Sequence, residues 1–339
     1  MTAMDEKFLV FAAMRNEGAF IVEWVSWYRM LGFEVLVATN DCTDHSVDLL
    51  GRLADAGWLS HFSHSPGTTP AKQSAHRQMR RQPQVAATDW LLICDVDEFL
   101  VIHTGEGSIR GYLDHLGRDF LGVVFHWQCF GTGGHKIYQD GLVHQQFLRR
   151  GTARHQSNTN FKSLFKSPLR YRRFSDHGPL LYDGVWGDPP DNFINTDGRF
   201  IDRFLTHDHP VRATDLDSIA YTTAQMNHYI IRADESFDLK RGMPSASAHK
   251  DRYTDQFYKV RNRNGILDES ALRYADQFAA VHAAAMAIPG VARLHHLCCA
   301  DYVVRLCAKK GADHRTDTRW LYHMARANIA PDSHPSMIG

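Results

Sequence analysis

The sequence predicts an α/β protein: a mostly parallel sheet flanked by helices, followed by a helical C-terminal extension. Three features carry that prediction. Apolar runs and amphipathic stretches alternate through the first hundred residues. Acid and amide residues recur just past the apolar runs, and residues 270–286 and 296–310 return to helical spacing. Residues 8–13 are continuously apolar, as a strand buried on both faces requires. Asn16-Glu17-Gly18 opens a helix whose Phe20, Ile21, Trp24, Val25, Tyr28 and Leu31 share one stripe, and Gly32 ends it. Glu34–Thr39 is the second strand, and Asp44 is placed to cap a helix carrying Val47, Leu50, Leu53 and Ala54.

Residues 58–62 form a third strand, and Thr69-Pro70 starts a helix that runs through Ala75 and Met79 to Pro83. The fourth strand, residues 90–94, ends in the acidic run Asp95-Val96-Asp97-Glu98. In open sheets of this kind ligands bind at the carboxyl ends of the strands. Asn16, Asp41, Asp44 and Asp95 lie just past strand ends and are expected on one edge. From residue 120 the pattern loosens. Residues 122–127 read as a strand, 130–134 as a mobile loop, and 150–210 as a long loop-rich segment of the kind that carries function. The last ten residues read as a frayed tail.

Hydrophobic residues make up 44% of the 339 and charged residues 22%, which excludes a disordered chain. Lys plus Arg balances Asp plus Glu at 38 each, so overall charge speaks against nucleic acid as a partner. No apolar run reaches the roughly 20 residues of a membrane span, and the N-terminus lacks the pattern of a signal peptide. The six Cys include no Cys-X-X-Cys pair. A reducing, cytoplasmic setting is expected, with peripheral association at the inner face of a membrane left open.

Two carboxylates spaced i, i+2 at a strand end suit a hard divalent cation, Mn²⁺ or Mg²⁺, because such ions take oxygen ligands. The cation would hold a diphosphate. The alternative is a solvated strand terminus. Together, Met14-Arg15-Asn16-Glu17, Glu23 through Tyr28, Asn40-Asp41-Cys42-Thr43-Asp44 and Trp90 through Phe99 resemble the family 2-like glycosyltransferases of bacteria with a GT-A fold. Asn227-His228-Tyr229, Ser236-Phe237 and Lys240-Arg241-Gly242 resemble the C-terminal block of that group. The similarity covers residues 8–245.

The resemblance implies a GT-A-like nucleotide-diphospho-sugar transferase, metal-dependent and inverting, that moves a sugar from a nucleotide-sugar donor to a glycan or other hydroxyl acceptor. Residues 1–118 would bind the donor, 119–245 would form the acceptor side, and 246–339 the helical extension. Asp95, Asp97 and His228 would be the metal ligands. Arg15, Asn16, Glu17, Asn40, Asp41, Asp44, Gln73, Asp95 and Lys240 would surround the donor, with Lys72 beside Gln73. Lys162, Lys166 and Lys240 could meet diphosphate oxygens. Asp44 and Asn16 could equally be helix caps, and His228 a buried strand residue.

An inverting enzyme needs a base near the acceptor hydroxyl, and Asp176, His177 and Asp183 are the candidates, with Asp188 and Asp191 nearby. His207-Asp208-His209 rivals His228 as a source of a metal ligand. Two other functions compete. One is a non-catalytic nucleotide-sugar or glycan-binding protein of the same fold. The other is a haloacid-dehalogenase-like phosphatase, which carries Asp-X-Asp on its first strand, whereas here three strands precede it. A closed zinc site from His295, His296, Cys298, Cys299 and Cys307 is not expected, since neighbours on one helix point in different directions.

Overall fold

A computed structural model of the chain describes residues 6–187, 190–206, 209–243 and 251–328. Asp188, the pair His207-Asp208, the boundary at residue 245 and the C-terminal tail lie outside these residues. The first part of the chain is β1 (Phe8–Met14), α1 (Gly18–Met30), β2 (Glu34–Thr39), α2 (Ser46–Asp55), β3 (Ser60–Ser63), α3 (Ala71–Met79), the single turn α4 (Pro83–Ala86) and β4 (Trp90–Ile93). β1 pairs in parallel with β2 and β4, and β2 with β3, giving the order β3-β2-β1-β4.

Next come β5 (Glu98–Ile102), α5 (Ile109–Leu116), β6 (Gly122–Cys129), α6 (Val143–Gln146) and β7 (Arg149–Arg150). They are followed by β8 (Phe161–Lys166), β9 (Tyr171–Ser175), β10 (Gly178–Tyr182), β11 (Phe193–Asn195) and β12 (Ala224–His228). Beyond β4 the sheet continues β8-β6-β12-β5. β8 is antiparallel to both neighbours and β5 antiparallel to β12, while β6 pairs in parallel with β12 and β11. The C-terminal part holds α7 (Asp234–Asp238), α8 (Asp255–Arg261), β13 (Ile266–Leu267), α9 (Ala275–Met286), α10 (Val291–Lys310) and α11 (Thr318–Arg326). The predicted α/β class, with its mostly parallel sheet and C-terminal helices, is observed.

The continuous apolar run of β1 has two covers to fill. Phe8, Val10, Ala12 and Met14 enter one core layer, Leu9 and Phe11 the other. α1 lies over the first layer with Trp24, Trp27 and Tyr28 fully buried, each such burial contributing about 1.5–3 kcal/mol. Its polar tips are spent on β5: the Trp27 indole donates to the Leu100 carbonyl at 2.9 Å and the Tyr28 hydroxyl to that of Glu98 at 3.0 Å. α9 and α10 pack on α1 and share the same core. Gly18 permits the approach, since a Cβ there would stand 2.4 Å from the Cys298 sulfur.

Several local expectations are revised. The helix expected to start at Thr69-Pro70 and run to Pro83 is α3, which ends at Met79; Pro70 stands outside it as its cap residue, and Pro83 opens the separate turn α4. The segment read as a mobile loop at 130–134 is buried over 130–132. There Thr132 N and Gly133 N donate to the side-chain oxygens of Asn262 and Asn264 at 2.8 and 2.7 Å. The span 150–210 contains β8 to β11, whose pattern the Arg and Pro content hid. Among the described residues no helix is long and apolar enough to cross a membrane.

Buried imidazoles give the fold a pH dependence of known sign. His126 on β6 is fully buried, with Nε2 2.8 Å from the Thr214 hydroxyl, and burial pulls its pKa down to about 4. The unfolded chain binds that proton near pH 6.5, so stability is intact above about 6.5 and lost as pH falls toward 4. Urea unfolding at stepped pH should show up to about 1.4 kcal/mol lost per pH unit for this group. The variant His126→Gln should lack one proton's worth of that slope; an unchanged slope would refute the assignment.

Candidate active site

Strand polarity decides what meets at the functional edge. β1, β2, β3 and β4 end there, so Arg15, Asn16, Glu17, Asn40, Asp41, Asp44 and Asp95 lie along it. β8 runs the other way, pairing Lys166 with Trp90 and Leu164 with Leu92, which brings Lys162 to the same edge. β12 ends there with His228 opposite Glu98, the first residue of β5. The four-residue link from β4 to β5 is therefore the meeting point.

That link is a closed turn. Glu98 N donates to the Asp95 carbonyl at 3.0 Å, and Asp95 N donates to the Glu98 carboxylate at 2.7 Å. The Trp24 indole donates to the Asp95 carbonyl and Tyr229 N to that of Asp97, at 3.0 and 2.8 Å. Glu98 is completely buried, with Lys162 Nζ 3.0 Å from one carboxylate oxygen. Lys162, also buried, lies 3.3 Å from the Asp95 carboxylate and donates to the Asp176 carbonyl at 2.7 Å. Burial, reinforced by Asp95 and Asp97, pushes the Glu98 carboxyl up against the pull of Lys162.

The two aspartates face different partners. Asp95 accepts from Lys72 on α3 at 2.5 Å as well as approaching Lys162, and these two ammonium groups hold it down to about 2 although burial opposes its charge. Burial pulls Lys72 down, but Asp176 and Asp95 outweigh it and raise Lys72 to about 12. Asp97 accepts from Lys240 at 3.1 Å, and its other oxygen lies 3.6 Å from His228 Nε2. Burial opposes the Asp97 charge too, yet Lys240 and His228 hold it well below the usual carboxylate range. Burial lowers His228, leaving a neutral ring packed 4.2 Å from that of Trp127, and its Nδ1 has no partner among the described residues.

The β9–β10 hairpin separates the candidate bases. Its tip, Asp176-His177, stands at the cluster: Asp176 is 3.8 Å from both Lys72 and His76 Nε2. His177 Nδ1 lies 2.8 Å from the Phe161 carbonyl, which fixes the proton on Nδ1 and leaves Nε2 with its lone pair. Burial and Lys162 lower His177 to about 4. Asp183 follows the other end of the hairpin, where it accepts from Arg170 at 2.9 Å, and Asp191 pairs with Tyr182 there. The structure does not bring Asp183 to the acidic cluster, because β10 carries the chain the length of the hairpin away from its tip. Lys166 lies at that same far end and donates to the Arg118 carbonyl.

The remaining donor candidates sort by role. Asp41, held in the left-handed region at φ 47° and bonded to Asn40, lines with Thr39, Cys42, Val47, Ser63, His64 and Ser65 a polar cavity of about 280 Å³. Asn16 is occupied with Thr43, exchanging bonds of 2.7 and 3.0 Å. Asp44 accepts from Ser46 N and Gly18 N at 3.1 and 3.2 Å, a brace for the starts of α2 and α1. Arg15 and Gln73 are exposed, and Glu17 pairs with Arg232 at 3.4 Å.

Sequence reasoning missed Glu98, His76 and Arg232. Arg232 is buried in the left-handed region at φ 57°, its guanidinium 3.5 Å over the Phe20 ring, with Nε and Nη2 lacking partners among the described residues. A charged residue inside the apolar pattern of residues 161–165 was the available signal for Lys162. Nothing in Ile230-Ile231-Arg232 distinguishes the arginine.

No protein-family model and no curated protein sequence matches the chain. Among solved structures it is similar to S. aureus TarS residues 1–349, at 13% identity and TM-score 0.35, covering 95% of this chain and 88% of that one. The same fragment in complex with UDP-GlcNAc matches at 12% identity and TM-score 0.33, with the same coverage. A putative glucose-1-phosphate thymidylyltransferase from Bacillus anthracis matches at 9% identity and TM-score 0.28, over 48% of this chain and 72% of that one.

The Lys162–Glu98 contact generates a stability test. Replacing Lys162 by Met strands a buried carboxyl, and equilibrium urea unfolding at pH 9 should show a loss of about 3–5 kcal/mol. Adding Glu98→Gln should recover part of that loss. Equal stability of the two variants would show that the pair is not coupled.

Proposed function

We propose that the chain is a GT-A-like glycosyltransferase that moves a sugar, with inversion, from a nucleotide-diphosphate donor to a glycan or other hydroxyl acceptor. One observation carries this reading. A single sheet edge joins a polar cavity at Asn40 and Asp41 to a cluster where Lys72, Lys162 and Lys240 face Asp95, Asp97 and Asp176. The cavity suits a nucleoside, and the cluster suits the diphosphate beyond it. Residues 1–118 form the donor side and 119–245 the acceptor side.

The fit to a divalent cation is selective. Asp97 and a neutral His228 face each other at 3.6 Å with hard-oxygen and imidazole donors, which suits Mn²⁺ or Mg²⁺. Asp95 is already held by two ammonium groups. Asp97 and His228 are thus the residues that would hold the ion, which when bound supplies positive charge beside the departing diphosphate. Lys240 and Arg232 orient the diphosphate, Arg232 through the guanidinium nitrogens its pairing with Glu17 leaves over. Asp95 positions Lys72 and Lys162. Asp176, at the hairpin tip, accepts the proton of the acceptor hydroxyl, and His177 orients that hydroxyl through Nε2.

Incubation with a panel of nucleotide sugars, with and without Mn²⁺, should release nucleoside diphosphate with one donor. Asp97→Asn should reduce turnover by about 10²–10³-fold. Asp176→Asn should cut turnover at nearly constant donor KM, whereas Asp183→Asn should leave it unchanged. Absence of donor-dependent release across the panel, with or without metal, would sink the proposal.

A further inference from the structure

A second cluster lies among the C-terminal helices, apart from the acidic turn. We propose that Cys299, His323 and Asp140 form a zinc site that ties the loop after β6 to α10 and α11. One ligand atom from each lies within 4.8 Å of the others, with Cys299 and His323 buried and Asp140 exposed. The three come from separate elements: α10, α11 and the loop that precedes α6. A thiol, an imidazole and a carboxylate are the donor types that Zn²⁺ takes in tetrahedral sites. His295, one helical turn before Cys299, lies against the site with Nε2 3.7 Å from the Cys299 sulfur.

Two buried ring nitrogens here are unsatisfied among the described residues. His323 is fully buried, and its Nε2 has no partner among the described residues, nor has His295 Nδ1. Buried nitrogens without partners are costly, and a cation collects such lone pairs. His323 Nδ1 lies 3.1 Å from His296 Nδ1, the kind of contact that orients a ligating ring from behind. Burial lowers His323 to about 4 and His295 to about 3, so both rings are neutral at pH 7. Burial also raises the Cys299 thiol. Binding therefore releases that proton to solvent and leaves a thiolate on the ion. The exposed Asp140 gives the ion its way in.

Co²⁺ is the probe. Titrated into the full chain after chelator treatment, it should give one equivalent of visible d–d absorption with a near-ultraviolet thiolate band, and Zn²⁺ should bleach both. Cys299→Ser should remove the thiolate band, and Asp140→Asn, an exposed substitution that leaves the core intact, should weaken Co²⁺ binding about 10–100-fold. Asp97→Asn should leave the spectrum unchanged, which separates this site from the proposed active site. No thiolate band in the native chain, or a band that survives Cys299→Ser, would overturn the proposal.

Discussion

The arrangement depends on one buried contact, that of Lys162 with Glu98 beneath the turn between β4 and β5. A lysine at 1% exposure is tolerated because it reaches Glu98, Asp95 and the Asp176 carbonyl together. The same three contacts join the β4 end, the β5 start and the hairpin tip. Glu98 closes the turn by accepting from Asp95 N, so the backbone that aims Asp95 and Asp97 is set by a residue that faces away from solvent. Such a node costs desolvation and gives back geometry.

Apolar periodicity made the first half of the fold legible. β2 matches its expected bounds, and β1 and β4 differ from theirs by a single residue, because runs such as Val10-Phe11-Ala12 have only one way to be covered on both faces. The middle was not legible. β8 carries Lys162, Ser163 and Lys166 among its apolar residues, and the two lysines serve opposite ends of the sheet. Only the antiparallel register against β4 tells which lysine faces the acidic turn.

Candidate site residues were legible by type but not by partner. Strand ends point to Asp41 and Asp95, and both lie where strand polarity requires. The same rule cannot separate Asp176 from Asp183, which fall at opposite ends of one hairpin and differ only in that. Nor can it tell that Asp44 is spent on the amides of two helices. Helix α10 gives the converse case. Its neighbours His295, His296 and Cys299 cannot close a site by themselves, and it takes α11 and a distant loop to bring His323 and Asp140 against them.

The lysines give the acidic turn its asymmetry. Asp95 and Asp97 are two residues apart and would share one face of a strand, yet the closed turn between them carries each to a different cation. Asp95 turns toward α3 and β8, Asp97 toward β12 and Lys240. In the folded chain only Asp97 has an imidazole in front of it, while Asp95 is the counter-ion of the Lys72 and Lys162 ammonium groups. Equivalence in sequence thus becomes a division of labour through the elements that flank each side chain.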